Sequence, residues 1–351
     1  MFELWFGIVA LMLTLYVVLD GYDLGAGALH LVVARTDAER RTLLAAIGPF
    51  WDANEVWLIA ATGALFVAFP RALAAGLSGF YLAIFMIVWC LMLRAVAIEF
   101  RSHLVDPLWR GFWDATFAAA SALLAVLFGV ALGNIVRGVP LTAEGWFRLT
   151  LFTTFQPRIP VGILDGYTVA AGGFAWVALA AHGATFLAWR TGGELRERSR
   201  RLALRLHVVL AVLWPLMTLA TRAVNPTLLS ALPGRPLAWL ALALAATGLM
   251  LAIVAGVRRH PLAAFLGSCA YLGGILGATA ACLFPVLLRA LPGPAGSITA
   301  FDGGATEHVL RVALGWWALG FPLVIGYFAL LFRIHRGRVE AAGESAPLEG
   351  Y

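Results

Sequence analysis

Long stretches of apolar residues dominate the chain, and each is long enough to cross a lipid bilayer. A transmembrane helix needs about 20 largely apolar residues, with a range of roughly 17–25. The qualifying stretches are 4–28, 47–69, 76–98, 115–136, 161–189, 204–221, 237–257, 263–288 and 310–332. They leave no room for a sizeable soluble domain. The pattern therefore predicts an all-α integral membrane protein with about nine transmembrane helices.

The composition agrees with a chain that lies in a membrane. Hydrophobic residues make up 62% of the 351 residues and charged residues 13%, whereas soluble domains carry about 45–50% and about 25%. All 25 basic residues are arginine, and the formal net charge is +6. The arginines stand between apolar stretches and form no basic stripe of the kind that binds nucleic acid. We therefore expect the lipid bilayer, and no nucleic acid, among the partners.

The distribution of arginine predicts the orientation of the chain. Short loops on the cytoplasmic side of a membrane protein carry an excess of Arg and Lys. With the N-terminus outside, roughly two thirds of the 25 arginines fall on inner segments, and a dense group at 190–205 contributes most of that bias. We predict an outer N-terminus and an inner C-terminus.

Acidic residues interrupt the first two stretches, and an acid at the centre of a membrane helix costs ~2.5–3.5 kcal/mol. Asp20 and Asp23 are three residues apart and share one helix face, as do Asp52 and Glu55. Glu99 lies at the end of the third stretch. In the predicted orientation all five carboxylates converge on the inner half of the bilayer. This convergence favours a path for protons or ions.

Structural roles for the same acids stay open at this stage. Asp52 is also a candidate N-cap of the second helix. The pair in the first stretch lies in the glycine-rich segment DGYDLGAG, where closely packed helices can bury hydrogen-bonded acids. Glu99 has two candidate ion-pair partners at the membrane surface, Arg94 and Arg101.

The sequence does not predict a metal site in this chain. The three cysteines, Cys90, Cys269 and Cys282, lie inside apolar stretches and have no metal-ligand spacing. His182 is the one histidine placed well inside a predicted helix. Two roles are therefore considered for His182, a hydrogen-bonded core histidine and an axial haem ligand.

Several sequence blocks resemble subunit II of the cytochrome bd-type quinol oxidases. The most specific block is GPFWDANEVWL at 48–58, and VLDGYDLGAG at 18–27 and RAVAIEFR at 94–101 accompany it. Shorter blocks follow in the same order: LSGFY at 77–81, FGVALGN at 128–134, HGAT at 182–185, RTGGEL at 190–195 and LFP at 283–285. The resemblance thus extends over most of the chain.

The resemblance implies a fold of two four-helix bundles plus one extra helix. On this basis we expect a first bundle at 1–136 that holds the acid cluster, and a second bundle at 161–288. An external loop at 137–160 separates the bundles. A further external loop and the ninth helix occupy 289–338, and a polar cytoplasmic tail occupies 339–351.

The resemblance also implies a function: a non-haem subunit of a bacterial terminal oxidase, which couples quinol oxidation to the reduction of oxygen to water. Such a chain lies in the bacterial cytoplasmic membrane and is not catalytic alone. Its partner is subunit I, which carries haem b and haem d, and some members have a small accessory subunit. The rival hypotheses are a secondary transporter and a purely structural membrane scaffold.

Residue roles follow from the matching motif positions. Asp23 and Asp52 match acids of a proton path toward the oxygen-reducing haem, and Trp51 matches a position near a structural quinone in some members. The remaining motif positions are Asp20 and Glu99, which we add to the predicted proton path, and Glu55, Trp57 and Arg94, which we expect to support it.

Overall fold

The computed structural model describes residues 1–293 and 295–339 and is almost entirely helical over that part of the chain. The helices are α1 Phe2–Ala28, α2 His30–Val33, α3 Asp37–Ile47, α4 Trp51–Ala68, α5 Pro70–Gly79, α6 Tyr81–Phe100, α7 Pro107–Arg137, α8 Gly166–Arg190, α9 Gly193–Val224, α10 Pro226–Ser230, α11 Pro236–Val257, α12 Pro261–Leu283 and α13 Glu307–Ile334. Two short strands, β1 Val286–Leu288 and β2 Ile298–Thr299, pair antiparallel between α12 and α13.

Eight helices of the described residues are long and apolar enough to span a membrane: α1, α6, α7, α8, α9, α11, α12 and α13. The one predicted stretch that is not among these eight helices is 47–69, which corresponds to α4. Its first turns carry Asp52, Asn54 and Glu55, and it is not among the helices that are apolar enough to span. The predicted class of an all-α membrane protein is confirmed, and the number of long helices roughly agrees with the expected nine.

Local backbone signals move several helix ends away from the predicted stretches. Pro70 starts the separate helix α5, so α6 begins at Tyr81 although the predicted stretch began at 76. The side chain of Asp165 caps α8, which therefore begins at 166 and not at 161. The predicted end of the helix at 263–288 was wrong, because α12 stops at Leu283 and β1 follows. Of the predicted tail 339–351, all but residue 339 lies outside the described residues.

The long helices form two groups of four with α13 at the side. The first group is α1, α4, α6 and α7, and the second is α8, α9, α11 and α12. α1 is central, because it contacts α4 and α7 in its own group as well as α8 and α12 in the other. α13 packs chiefly against α4. This arrangement agrees with two four-helix bundles plus one extra helix.

The two bundles meet along α7 and α8 and again where α1 crosses α8, and the closest backbone approach lies at this crossing. Gly25 and Gly183 lie at this crossing. A Cβ atom on Gly25 would stand 1.9 Å from the carbonyl oxygen of Leu179, and one on Gly183 would stand 2.3 Å from the backbone nitrogen of Ala26. The backbones therefore touch directly, which is the close approach that small residues permit in membrane helices. This contact brings the end of α1 that carries Asp20 and Asp23 into the centre of the molecule.

We expect Gly25→Ala to destabilise the protein by at least ~1–3 kcal/mol, the cost typical of overpacking a tight interior. The added methyl group meets backbone atoms of α8, which cannot rotate away. Thermal unfolding of the purified protein in detergent measures the effect. Gly7→Ala is the matched control, because a Cβ on Gly7 in the same helix has no neighbour within 4 Å. Equal melting temperatures for the two variants would contradict the proposed contact.

Candidate functional site: a buried acid cluster

Three helices of the first bundle bring acids together around one arginine. Arg94, on α6, is fully buried, and its Nη1 lies 2.8 Å from Oδ1 of Asp20 on α1. Its Nη2 donates a hydrogen bond to Oε1 of Glu55 on α4. Asp20 is fully buried, whereas the side chain of Glu55 is 23% exposed. One guanidinium thus compensates two carboxylates, as buried charges in a membrane require.

The second acid of α1, Asp23, has a different partner. The side-chain amide of Asn54, on α4, donates from Nδ2 to Oδ2 of Asp23 at 2.7 Å. The same Nδ2 lies 2.8 Å from the hydroxyl of Tyr22 and 3.2 Å from the carbonyl oxygen of Leu19. Asp23 and Asn54 are both buried. We call the six residues Asp20, Tyr22, Asp23, Asn54, Glu55 and Arg94 the acid cluster.

The structure brings Asp20, Asp23, Glu55 and Arg94 together, but it leaves Asp52 and Glu99 outside the acid cluster. Both of these acids are exposed on the described chain. The alternative that Glu99 pairs with Arg94 or Arg101 was wrong. Arg94 binds Asp20 and Glu55. Arg101 binds Asp37 and Asp114. Asp52 is not the N-cap of α4 either: Phe50 occupies that position, and Asp52 lies in the first turn.

The rotation of α4 about its axis explains this separation. Asn54 and Trp57 point into the protein, whereas Asp52, Val56 and Ile59 lie on the opposite, exposed face. Glu55 stands at the border between the two faces and reaches Arg94 with its longer side chain. Spacing alone indicated that Asp52 and Glu55 share a side of the helix, but not which part of it faces the core.

The two tryptophans of the motif are parts of the core. Trp57 is 3% exposed, and its ring lies 6.1 and 5.7 Å from those of Phe321 and Phe328 on α13. Trp51 is buried in an apolar cluster that includes Phe50 and Phe186. Both indoles help to fix α4 in the orientation that the acid cluster requires.

His182, on α8, has hydrogen-bonding partners at both ring nitrogens. Nδ1 lies 2.8 Å from Oγ of Ser268, and Nε2 lies 2.9 Å from the carbonyl oxygen of Val18. This pattern fits a neutral imidazole that donates from Nε2 and accepts at Nδ1. His182 therefore ties α8 to α1 and α12 and offers no free nitrogen to a haem iron. The described residues also contain no group of three or more His, Cys, Asp and Glu side chains that could hold a metal ion.

A second polar cluster holds α3 against the ends of α6 and α7. Asp114, buried near the start of α7, accepts hydrogen bonds from His30 at 2.6 Å, Arg101 at 2.5 Å and Arg40 at 2.9 Å. Burial lowers the pKa of His30, so its imidazole is neutral near pH 7. Sequence reasoning missed Asp114, because it stands just before the predicted stretch 115–136, where an acid is unremarkable.

Asp37, at the start of α3, completes the second cluster. Its carboxylate accepts hydrogen bonds from Arg101 at 2.7 Å and Arg110 at 3.0 Å. Partial burial alone would raise the pKa of Asp37, but the neighbouring arginines outweigh it and hold that pKa below its usual value. Asp37 is therefore ionised at neutral pH and links α3 to the end of α6 and the start of α7.

An apolar cavity of about 290 Å³ lies between the two bundles. Residues of α1, α7, α8, α9 and α12 line it, among them Tyr16, Leu24, Phe128 and Trp214. Trp51 is not among the lining residues.

Comparison with known proteins identifies the family. Residues 1–335 match the family model described as "Cytochrome bd terminal oxidase subunit II". The chain belongs to this family. Over 364 residues it is 31% identical to "Cytochrome bd-I ubiquinol oxidase subunit 2" of Escherichia coli K12, a match that covers 96% of this chain and 94% of that protein. It is 36% identical over 211 residues to "Cytochrome bd ubiquinol oxidase subunit 2" of Bacillus subtilis, with 60% of each chain covered.

The fold is also similar to that of a solved bd oxidase. A chain of the bd oxidase from Geobacillus thermodenitrificans superposes with a TM-score of 0.73 at 17% identity, and the match covers 95% of this chain and 98% of that one. As a member of the subunit II family, the chain is part of a haem-containing terminal quinol oxidase and has a partner oxidase subunit. It is a multi-pass membrane protein. Neither the secondary transporter nor the structural scaffold is favoured.

We expect Arg94→Leu to destabilise the subunit by about 3–5 kcal/mol, because it leaves two carboxylates in the protein interior without their cation. Thermal unfolding and the yield of assembled oxidase measure this loss. The control is a triple variant that also carries Asp20→Asn and Glu55→Gln. If charge compensation is the cause, the triple variant regains most of the lost stability. A triple variant as unstable as Arg94→Leu would instead indicate that the packing of the arginine side chain matters.

Proposed function

We propose that this subunit carries protons from the inner side of the membrane to the partner oxidase subunit, and that it also stabilises that partner. The observation that supports the proposal best is the graded burial of the acids near the start of α4. Asp52 is exposed, Glu55 is 23% exposed, and Asp20 and Asp23 are buried. Carboxylates at membrane depth are costly, and they commonly mark ion pathways and proton relays.

The proposed path uses acids that differ in their exposure. Asp52 and Glu99 are the surface members, which exchange protons with water or with groups of the partner. Glu55 connects the surface to the interior, and Asp20 and Asp23 are the buried members. Arg94 holds Asp20 and Glu55 in place without itself exchanging a proton, since guanidinium groups stay protonated in proteins.

The haem groups of the complex are proposed to lie in the partner, subunit I, as haem b and haem d. His182, the histidine that the sequence left open as an axial ligand, has both ring nitrogens hydrogen-bonded within the chain. When bound in the partner, the haems supply electron transfer from quinol and the reduction of oxygen to water. This subunit's own contribution is to supply protons for that reduction and to bind the partner.

The exposed face of α4 is the surface we propose for the partner. Val56, Ile59 and Phe66 are 50%, 71% and 66% exposed on this chain, and Asp52 lies on the same face. An acid next to a lipid-facing apolar surface is costly, whereas an acid at a protein interface can find polar partners. This placement supports a role for Asp52 at the contact with the oxidase subunit.

The remaining expectations are part of the proposal. The membrane is the bacterial cytoplasmic membrane, with the N-terminus outside and the C-terminus inside, and the two bundles follow the predicted segments. Some members of the family have a small accessory subunit. A quinone contact at Trp51 stays a prediction from the resemblance alone, because the indole is buried among the chain's own aromatic side chains.

We expect Asp52→Asn to lower quinol oxidase turnover by about an order of magnitude or more, the range typical for loss of a proton-transfer group. Assembly and haem spectra should be largely unchanged, since asparagine has the same size as aspartate and keeps hydrogen-bonding groups at the proposed contact with the partner. Oxygen consumption by the purified complex measures turnover. Glu307→Gln, at an exposed acid near the start of α13, is the control and should keep full activity. Full turnover in Asp52→Asn would remove Asp52 from the path.

Asp23→Asn should lower turnover as well, and it tests a buried member of the path. Asp23 also lies in the tightly packed segment beside Gly25, so we expect a reduced yield of the complex. Haem content per subunit separates the two effects, because turnover is then expressed per assembled oxidase. Normal yield would contradict a packing role, and full turnover per haem would exclude Asp23 from proton transfer.

A further inference from the structure

The two buried acids of α1 differ in how their charge is compensated. Asp20 lies 2.8 Å from the Arg94 guanidinium. Asp23 forms no ion pair with any described arginine or histidine, and its hydrogen-bonding partner is the neutral amide of Asn54. A carboxyl group held only by neutral donors is not bound to one protonation state by a fixed cation. Asp23 therefore has no fixed counter-charge and is suited to gain and lose a proton.

The two oxygens of Asp23 also differ. Oδ2 accepts the Asn54 hydrogen bond at 2.7 Å. Oδ1 is buried and has no hydrogen-bonding partner among the described residues. A primary amide does not titrate, so Asn54 can donate to Oδ2 whether Asp23 is ionised or protonated. The proton is then bound and released at Oδ1, while Oδ2 keeps its partner in both states.

The surroundings of Asn54 keep its amide in this orientation. The carbonyl oxygen of Leu19, at 3.2 Å from Nδ2, accepts only. Turning the amide around would bring two oxygen atoms together at that point. Tyr22, whose hydroxyl lies 2.8 Å from Nδ2, packs its ring against Phe186 at a centroid distance of 4.0 Å. The amide is thus fixed by contacts with α1, and α1 in turn by contacts with α8.

The other charged or titratable groups near Asp23 are few. Asp20 on α1, Arg94 on α6 and Glu55 on α4 act on it electrostatically. From the second bundle, His182 of α8 approaches the ring of Tyr22 at 6.1 Å, and its nitrogens are already bonded. Cys269 of α12 lies near Tyr22 as well. None of these groups replaces Asn54 as a donor to Oδ2.

We propose that Asn54 is a positioning residue for proton transfer, which holds Oδ2 of Asp23 so that Oδ1 is the oxygen that binds and releases the proton. In the uptake step, Oδ1 of ionised Asp23 forms an O–H bond with a proton released by hydronium or by a protonated neighbouring carboxyl. In the release step that bond breaks, and the next acceptor takes the proton. Asn54 gains and loses nothing. The inference rests on the proposed proton path and assigns roles within it.

Infrared difference spectroscopy on the assembled oxidase tests the assignment directly. When Oδ1 carries the proton, Oδ2 is the carbonyl oxygen, and the Asn54 hydrogen bond lowers its stretching frequency. The band of protonated Asp23 is the one that Asp23→Asn abolishes. In Asn54→Leu, a side chain of similar size without a donor, we expect this band at higher wavenumber. We also expect turnover per haem to fall about tenfold, as for loss of one buried hydrogen bond to a charged group.

Asn225→Leu is the matched control. Asn225 is also a buried asparagine that joins helices, because its Nδ2 donates to the carbonyl oxygen of Val136 at 2.7 Å, far from the acid cluster. A loss of helix–helix bonding alone would affect both variants similarly. The inference requires the carboxyl band to move in Asn54→Leu and to stay in place in Asn225→Leu. If Asn54→Leu yields too little complex, Asn54→Ser keeps a short donor and should show a smaller shift in the same direction.

The outcomes separate this inference from the proposed function. An unshifted band in Asn54→Leu or Asn54→Ser overturns the role of Asn54, even when Asp23→Asn lowers turnover and the proton path stands. If Asp23→Asn abolishes no band, Asp23 does not become protonated during turnover and the inference fails. Full turnover per haem in Asp23→Asn removes Asp23 from the path itself.

Discussion

The rest of the first bundle depends on the compensation of buried charge around Arg94. A guanidinium at membrane depth is tolerated only when its charge is compensated. Asp20 and Glu55 supply that pairing from two other helices, so three helices can reach low free energy only in one mutual arrangement. The arginine thereby acts as a point of assembly for α1, α4 and α6. The remaining polar groups of the acid cluster take their positions from it.

Close backbone contact between the bundles places this cluster within the whole subunit. Gly25 and Gly183 allow α1 and α8 to touch, and His182 adds hydrogen bonds to Val18 and Ser268 close to the same crossing. The acid-bearing end of α1 is therefore enclosed by the second bundle on one side and by α4 on the other. A chain with this geometry keeps Asp20 and Asp23 away from lipid.

The acid cluster divides its acids by how their charge is compensated. Asp20 and Glu55 pair with Arg94 and join three helices, whereas Asp23, which Asn54 holds through a neutral hydrogen bond, has no ion-pair partner among the described residues. This division makes Asp23 the member best suited to change its protonation state. The second polar cluster, at Asp114, has no such division, because charged arginines surround its buried carboxylate.

The sequence by itself determined the class of the fold and the position of the acids along it. Apolar stretches of spanning length predict helices, because lipid leaves backbone groups few other ways to form hydrogen bonds. Motif blocks were sufficient for the family, and the three-residue spacing of Asp20 and Asp23 was sufficient to place both on one side of α1. Only the tertiary structure decided which side chains meet. It paired Arg94 with Asp20 and left Asp52 and Glu99 exposed, because the rotation of a helix about its axis is set by packing against its neighbours and not by its own residues.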